Sequence, residues 1–70
     1  MRAQVIGKRL MQLRGNRRRE DVAHALNISE NALFQYEMGA RIPRDEVKWR
    51  ISFYYNESIE RLFFSQKVHE

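Results

Sequence analysis

The chain has no cysteine, a single proline and only three glycines among its 70 residues. Without thiols it can form neither a disulfide staple nor a thiolate zinc site, so packing and polar contacts must hold it together. It has no Pro/Gly/Ser-rich linker, internal repeat or low-complexity tract, and its length suits one domain near the lower limit for a self-sufficient core. No apolar stretch is long enough to span a bilayer. Patterns for catalysis and metal binding are missing too. No Ser/His/Asp or paired-carboxylate set stands out, and His24 and His69 lie far apart without ligand-like spacing. Neither an enzyme, a metal site, a cofactor nor a small-molecule ligand is expected.

One sign of charge is absent from the first part of the chain. No acid precedes Glu20, while residues 1–19 hold seven basic side chains: Arg2, Lys8, Arg9, Arg14, Arg17, Arg18 and Arg19. The rest is near neutral by comparison, and the whole carries a formal charge of +4. A single basic pole on a small domain points to a polyanion, nucleic acid before an anionic membrane surface. A transit peptide is also acid-free. Here, however, Val5, Ile6, Leu10 and Leu13 form the narrow stripe of a globular helix facing a core, and the serines of a transit sequence are lacking. The expectation is a soluble, cytoplasmic protein.

What is present favours a helical core. Apolar residues make up 43%, with seven Phe and Tyr residues plus Trp49, which argues against disorder. Gly15-Asn16 reads as the end of a first helix. A second starts near Arg19, with Glu20 and Asp21 in its first turn, where carboxylates favour the helix dipole, and turns Val22, Ala23 and Leu26 inward. Asn27 tolerates positive φ and can end that helix, Ile28 can then turn inward, and Ser29 can cap the next. The third helix, 30–38, puts Leu33, Tyr36 and Glu37 on one side and Glu30, Asn31, Phe34 and Gln35 on or around the other. Gly39 ends it. Pro43 excludes helix at Ile42, and Asp45 can cap a fourth helix to about Tyr55. Residues 47–53 alternate apolar and polar, which alone suggests a strand, but a lone strand has no partner in this chain. Trp49, Ile51 and Tyr55 are assigned to the core. Asn56 and Ser58 read as a stop and a new cap for a fifth helix, 59–65, with Ile59, Leu62 and Phe63 buried.

Ala23, Leu33, "YEMGARIP" (36–43) and "SIERLFF" (58–64) together resemble the Cro/cI-type, or XRE-type, helix-turn-helix domain, from about Ile6 to Phe64. Counting from Arg19, the fifth residue of the motif is Ala23, the ninth is the corner residue Asn27 and the fifteenth is Leu33. Ala23 must be small where the third helix crosses above it, and Leu33 packs into the angle between the two helices. The resemblance implies an all-α, compact five-helix lambda-repressor-like DNA-binding domain. Residues 1–5 would be a lead-in, 6–64 the domain with its helix-turn-helix at 19–38, and 65–70 a tail. The sequence departs from the family at Arg17-Arg18-Arg19, where an apolar residue, Ser or Thr, and Gln are usual. The second helix thus loses its side-chain cap and gains cations. Met38 stands where relatives often carry a basic or polar residue.

The resemblance further implies that the third helix lies in the DNA major groove. Asn31 and Gln35 suit the paired N6/N7 edge of adenine, Glu30 can accept from cytosine N4, and Phe34 can meet a thymine methyl. Arg17, Arg18 and Arg19, at a helix N-terminus, and Arg41 and Arg44, flanking Pro43, are the expected phosphate contacts. Glu37, by contrast, is expected to bond within the fold. The function implied is a sequence-specific transcriptional regulator of prokaryotic or phage type, a repressor nearer to Cro than to a two-domain repressor. Its partner would be double-stranded DNA with a roughly palindromic operator, bound as a homodimer formed free or only on DNA, with Phe64 and Val68 at the dimer contact. The alternative is the same fold reused as a protein-interaction module, antirepressor-like.

Overall fold

Four residues in the left-handed region set the ends of the first four helices. They are Gly15, Asn27, Gly39 and Asn56, with φ of 59°, 59°, 76° and 56° in a computed structural model that describes residues 2–65. The helices they punctuate are α1 (Arg2–Arg14), α2 (Arg19–Leu26), α3 (Glu30–Glu37) and α4 (Asp45–Tyr55). A single π-helical turn, α5 (Glu60–Phe64), follows, with the Ser65 N–H donating to the Glu60 carbonyl at 2.8 Å. Among the described residues the architecture is all-α, with five helices and no strand. Val68 and His69 lie outside the described residues, as does all of the expected tail but Ser65. The expected lead-in is itself helical from Arg2 onwards.

The two asparagines close their helices with the same pair of bonds. At the end of α2 the Ile28 N–H reaches back to the Ala23 carbonyl (3.0 Å) and the Asn27 N–H to that of His24 (3.1 Å). At the end of α4 Glu57 and Asn56 do likewise to Ser52 and Phe53, at 3.0 and 3.3 Å. Each pair satisfies carbonyls that a helix C-terminus otherwise leaves free. Ser29 then starts α3, its side chain accepting from the Ala32 N–H at 3.0 Å. Three residues thus reverse the chain and begin a new helix. The fourth helix departs from expectation at its start: Arg44, not Asp45, is the N-cap, and it supplies no side-chain bond. Asp45 and Glu46 sit instead inside the first turn, where their charge favours the dipole.

α3 packs between α1 and α2, α4 closes over α2, and α5 lies against α1. The core is built from Ile6 and Leu10 of α1, Val22, Ala23 and Leu26 of α2, Leu33 and Tyr36 of α3, Val47 and Ile51 of α4, and Leu62 and Phe63 of α5. Leu13, Ile28, Tyr55 and Ile59 pack against it partly buried. Trp49 does not join them. It is 62% exposed, and Phe53, one turn on, is 89% exposed. Residues two apart on a helix point about 200° from each other. The alternation of Val47, Trp49, Ile51 and Phe53 is therefore two opposite helix faces, one buried and one in solvent.

α1 approaches α3 more closely than any side chain permits. A Cβ at Gly7 would overlap the Glu37 carbonyl oxygen and lie 2.9 Å from its carbon and from the Tyr36 oxygen. Backbone atoms cannot swing aside as a side chain can. Gly7→Ala gains about 1 kcal/mol of helix propensity, but overpacking costs about 1–3 kcal/mol. A net loss of stability is expected, read as a lowered midpoint in thermal or urea unfolding.

Tyr55 offers the opposite case. Its hydroxyl is buried with no hydrogen-bond partner, and burial, the main cause, pushes its pKa up from 10.0 to about 12. Removing an unsatisfied buried hydroxyl relieves a desolvation penalty. Tyr55→Phe is expected to melt at the parent temperature or higher. The folded state favours the neutral phenol, so this group's contribution is full below pH 10 and fades as pH rises towards 12. The Phe variant should lose that part of the alkaline instability, measurable by thermal melts across pH 8–12.

Candidate nucleic-acid interface

The site begins with a carboxylate that the sequence puts on the wrong side of a helix. Glu37 shares the inward side of α3 with Leu33 and Tyr36, and is buried. A lone buried carboxylate is costly, so it must be paired. Arg14, closing α1, grips it with two nitrogens: Nε donates to Oε2 at 2.7 Å and Nη2 to Oε1 at 3.2 Å. Arg19, opening α2, donates from Nε to Oε1 at 3.0 Å. The remaining Arg14 nitrogen donates to the Arg17 carbonyl at 2.7 Å, tying down the α1–α2 connection. The hydrogen bond to Glu37 is the largest cause of a raised Arg14 pKa, against the lowering effect of burial. Glu37 thus bonds within the fold, as expected.

From this anchor the outer face of α3 can be followed. The Arg19 guanidinium, held below by Glu37, lies over the Phe34 ring, 5.1 Å from its centroid. Phe34 is 44% exposed. Next to it Gln35 accepts at Oε1 from Arg41 Nη1 at 3.1 Å. The Gln35 backbone carbonyl also takes the Ala40 N–H at 2.9 Å and the Arg41 N–H at 3.3 Å, so the loop after α3 folds back on this residue. Arg41 rests its guanidinium over the Tyr36 ring, 5.5 Å from the centroid. Glu30 and Asn31 stand exposed one turn earlier. The result is a strip of amide and aromatic groups with a guanidinium at either side. Gln35 still has both N–H donors and a second lone pair on its oxygen for an outside partner.

The three consecutive arginines take different environments. Arg19 is in the Glu37 cluster. Arg17 turns towards the end of α4, over the Tyr54 and Tyr55 rings at 5.6 and 5.4 Å, and donates to the Leu13 carbonyl at 3.1 Å. Arg18, the uncapped N-cap of α2, is exposed and paired with Glu20. Arg44 is exposed beside buried Pro43. Phe64 lies away from this strip. It is 48% exposed, and both the Arg2 guanidinium (5.5 Å) and the Lys48 ammonium (4.8 Å) lie over its ring. The sequence shows Arg14 only as one of the basic residues before Glu20, and marks neither its pairing with Glu37 nor the Arg41–Gln35 bond. Arg14 had a signal: it continues the Ile6–Leu10 spacing by one more turn, which aims it at the same interior as Glu37.

Among the described residues no group of histidines and carboxylates is arranged to hold a metal ion. No helix is long and apolar enough to cross a membrane. Comparison with models of protein families, with curated proteins and with solved structures finds no match for this chain. The chemistry of the strip has to be argued from its own geometry.

The anchor generates a prediction. Glu37→Ala removes the acceptor of two arginines from a site with no solvent access to the carboxylate, and breaking such a buried cluster typically costs about 3–5 kcal/mol. Arg19→Lys keeps a charge near Glu37 but cannot lie flat over Phe34, so it should cost much less. Urea unfolding of the two variants beside the parent checks the order.

Proposed function

We propose that this chain is a sequence-specific double-stranded DNA-binding regulator of the Cro/cI helix-turn-helix type, a repressor of prokaryotic or phage origin, reading the major groove with α3. The observation that carries the reading is the strip itself. Asn31, Phe34 and Gln35 offer amides and an aromatic edge to base edges, with the Arg19 guanidinium beside Phe34 and that of Arg41 beside Gln35 as cations for the backbone phosphates. Arg18 and Arg44, exposed at the uncapped starts of α2 and α4, add cations where free backbone N–H groups already attract anions. Glu30, at the first position of α3, is assigned to the helix dipole or to a cytosine amino group. One α3 covers only a few base pairs, so two copies on half-sites about one helical turn apart are needed for useful specificity. The other reading, a protein-interaction module, has exposed Trp49 and Phe53 in its favour, and predicts no DNA complex.

Selection of bound sequences from a random duplex pool, followed by gel shifts on the enriched site, tests the proposal. A pool that does not enrich sinks it. On the enriched site Gln35→Ala should cost about 1–3 kcal/mol and leave binding to random duplex little changed. Arg44→Ala should weaken both alike and reduce the slope of log K against log salt by about 1. Equal losses on both DNAs for Gln35→Ala would remove it from base reading. Arg44 is the cleaner phosphate test, because Arg19→Ala would also strip Glu37 of a partner.

A further inference from the structure

We propose that the outer face of α4 is a self-association surface, on which a second copy of this chain docks about a two-fold axis. Trp49 and Phe53 stand one turn apart on that face and contribute nothing to the core. Beside Phe53, between the end of α2 and α4, runs an open groove of about 410 Å³ lined by Ala25, Leu26, Asn27, Arg50 and Tyr54. Phe53 belongs to both the projecting pair and the groove, one turn from Trp49 and on the groove's rim. That is the condition for an isologous contact, in which each copy gives to the other what it receives. With two α4 helices antiparallel about an axis between Trp49 and Phe53, each Trp49 meets the partner's Phe53 and the groove next to it.

Charge selects a second copy here and disfavours one at Phe64. Along α4 each exposed acid has its own cation: Asp45 with Lys48 (3.7 Å), Glu46 with Arg50 (2.7 Å), and Glu57, just beyond, with Arg61 (4.0 Å). Two such faces meet without net repulsion. Around Phe64 the Arg2 guanidinium lies on the ring, beside the Lys48 that Asp45 already pairs, and a two-fold contact would oppose the two Arg2 charges. Area sets the strength. Trp and Phe side chains present about 150–250 Å² each, so the exposed pair leaves a contact well under the standard interface of about 800 Å² per partner. The dimer should therefore be weak and form only in concentrated solution.

The proposal does not rest on DNA binding, and its test uses none. Trp49 is the only tryptophan, so its emission reports its own burial. The full chain is diluted over a concentration series while emission maximum and sedimentation are recorded together. A blue shift that tracks dimer formation is expected in the parent and in Phe64→Ser. Phe53→Ser keeps the reporter and should weaken association by at least about tenfold, with a melting temperature equal to the parent's when both are monomeric at low concentration, because Phe53 is outside the core. A parent that stays monomeric at millimolar concentration overturns the proposal. So does a dimer lost in Phe64→Ser but kept in Phe53→Ser. A red, concentration-independent Trp49 emission in a protein that does dimerise also overturns it.

Discussion

The buried carboxylate of Glu37 is the constraint on which the rest of this small fold depends. It draws the last residue of α1, the α1–α2 connection and the first residue of α2 to the end of α3. Buried ion clusters are poor sources of net stability, because desolvation offsets most of the attraction. What this one supplies is geometry. Hydrophobic contacts among Leu10, Ala23, Leu26 and Leu33 would tolerate some sliding of α3 along its neighbours. A bidentate guanidinium and a second donor on the same oxygen would not. Gly7 works to the same end, since its missing side chain lets α1 sit on the backbone at Glu37. Close approach and fixed charge meet at one residue.

That constraint reaches the surface through Arg19. Its guanidinium is shared between a buried acceptor and the exposed face of Phe34, so the start of α2 and the outer side of α3 move as a unit. At the other side of α3, Arg41 does for Gln35 what Glu37 does for Arg19, limiting the rotamers of a side chain that faces outward. Ordering these groups in advance lowers the entropy that a binding partner would otherwise have to offset. The uncapped starts of α2 and α4 fit the same pattern. Both begin with an arginine where a Ser or Asp would have capped the helix, and neither arginine side chain caps a first-turn N–H group.

Local signals made most of the fold legible in the sequence. Asn27, Ser29, Gly39 and Asn56 act on their own backbone, so their chemistry predicts the turns without knowledge of the neighbours. The inward placement of Glu37 follows from helical spacing in the same way. Contacts between distant residues were less legible. Nothing local marks Gly7 as the point where two backbones touch, and the bond from Arg41 to Gln35 depends on how the loop after α3 returns. Trp49 misled for a different reason: large apolar residues are normally assigned inward, and an aromatic on the solvent face of a helix breaks the rule without a local sign. The expected caps differ at two starts: Arg44 stands at the N-cap of α4 in place of Asp45, and Ile59 at that of α5 in place of Ser58.

The error at Trp49 has physical content. Sequence rules describe what the fold requires of a residue, and α4 needs only Val47 and Ile51 to close the core. An outward Trp and Phe on that helix add exposed apolar surface with no return inside the fold, which is the ground for the self-association proposed there. The polar strip on α3 differs in kind, being wet, basic and held by ion pairs. α4 packs on α2 rather than on α3, so the two surfaces are carried by different helices. A change at Trp49 or Phe53 touches neither the Glu37 cluster nor the groups it orients, and binding through one face can vary without loosening the other.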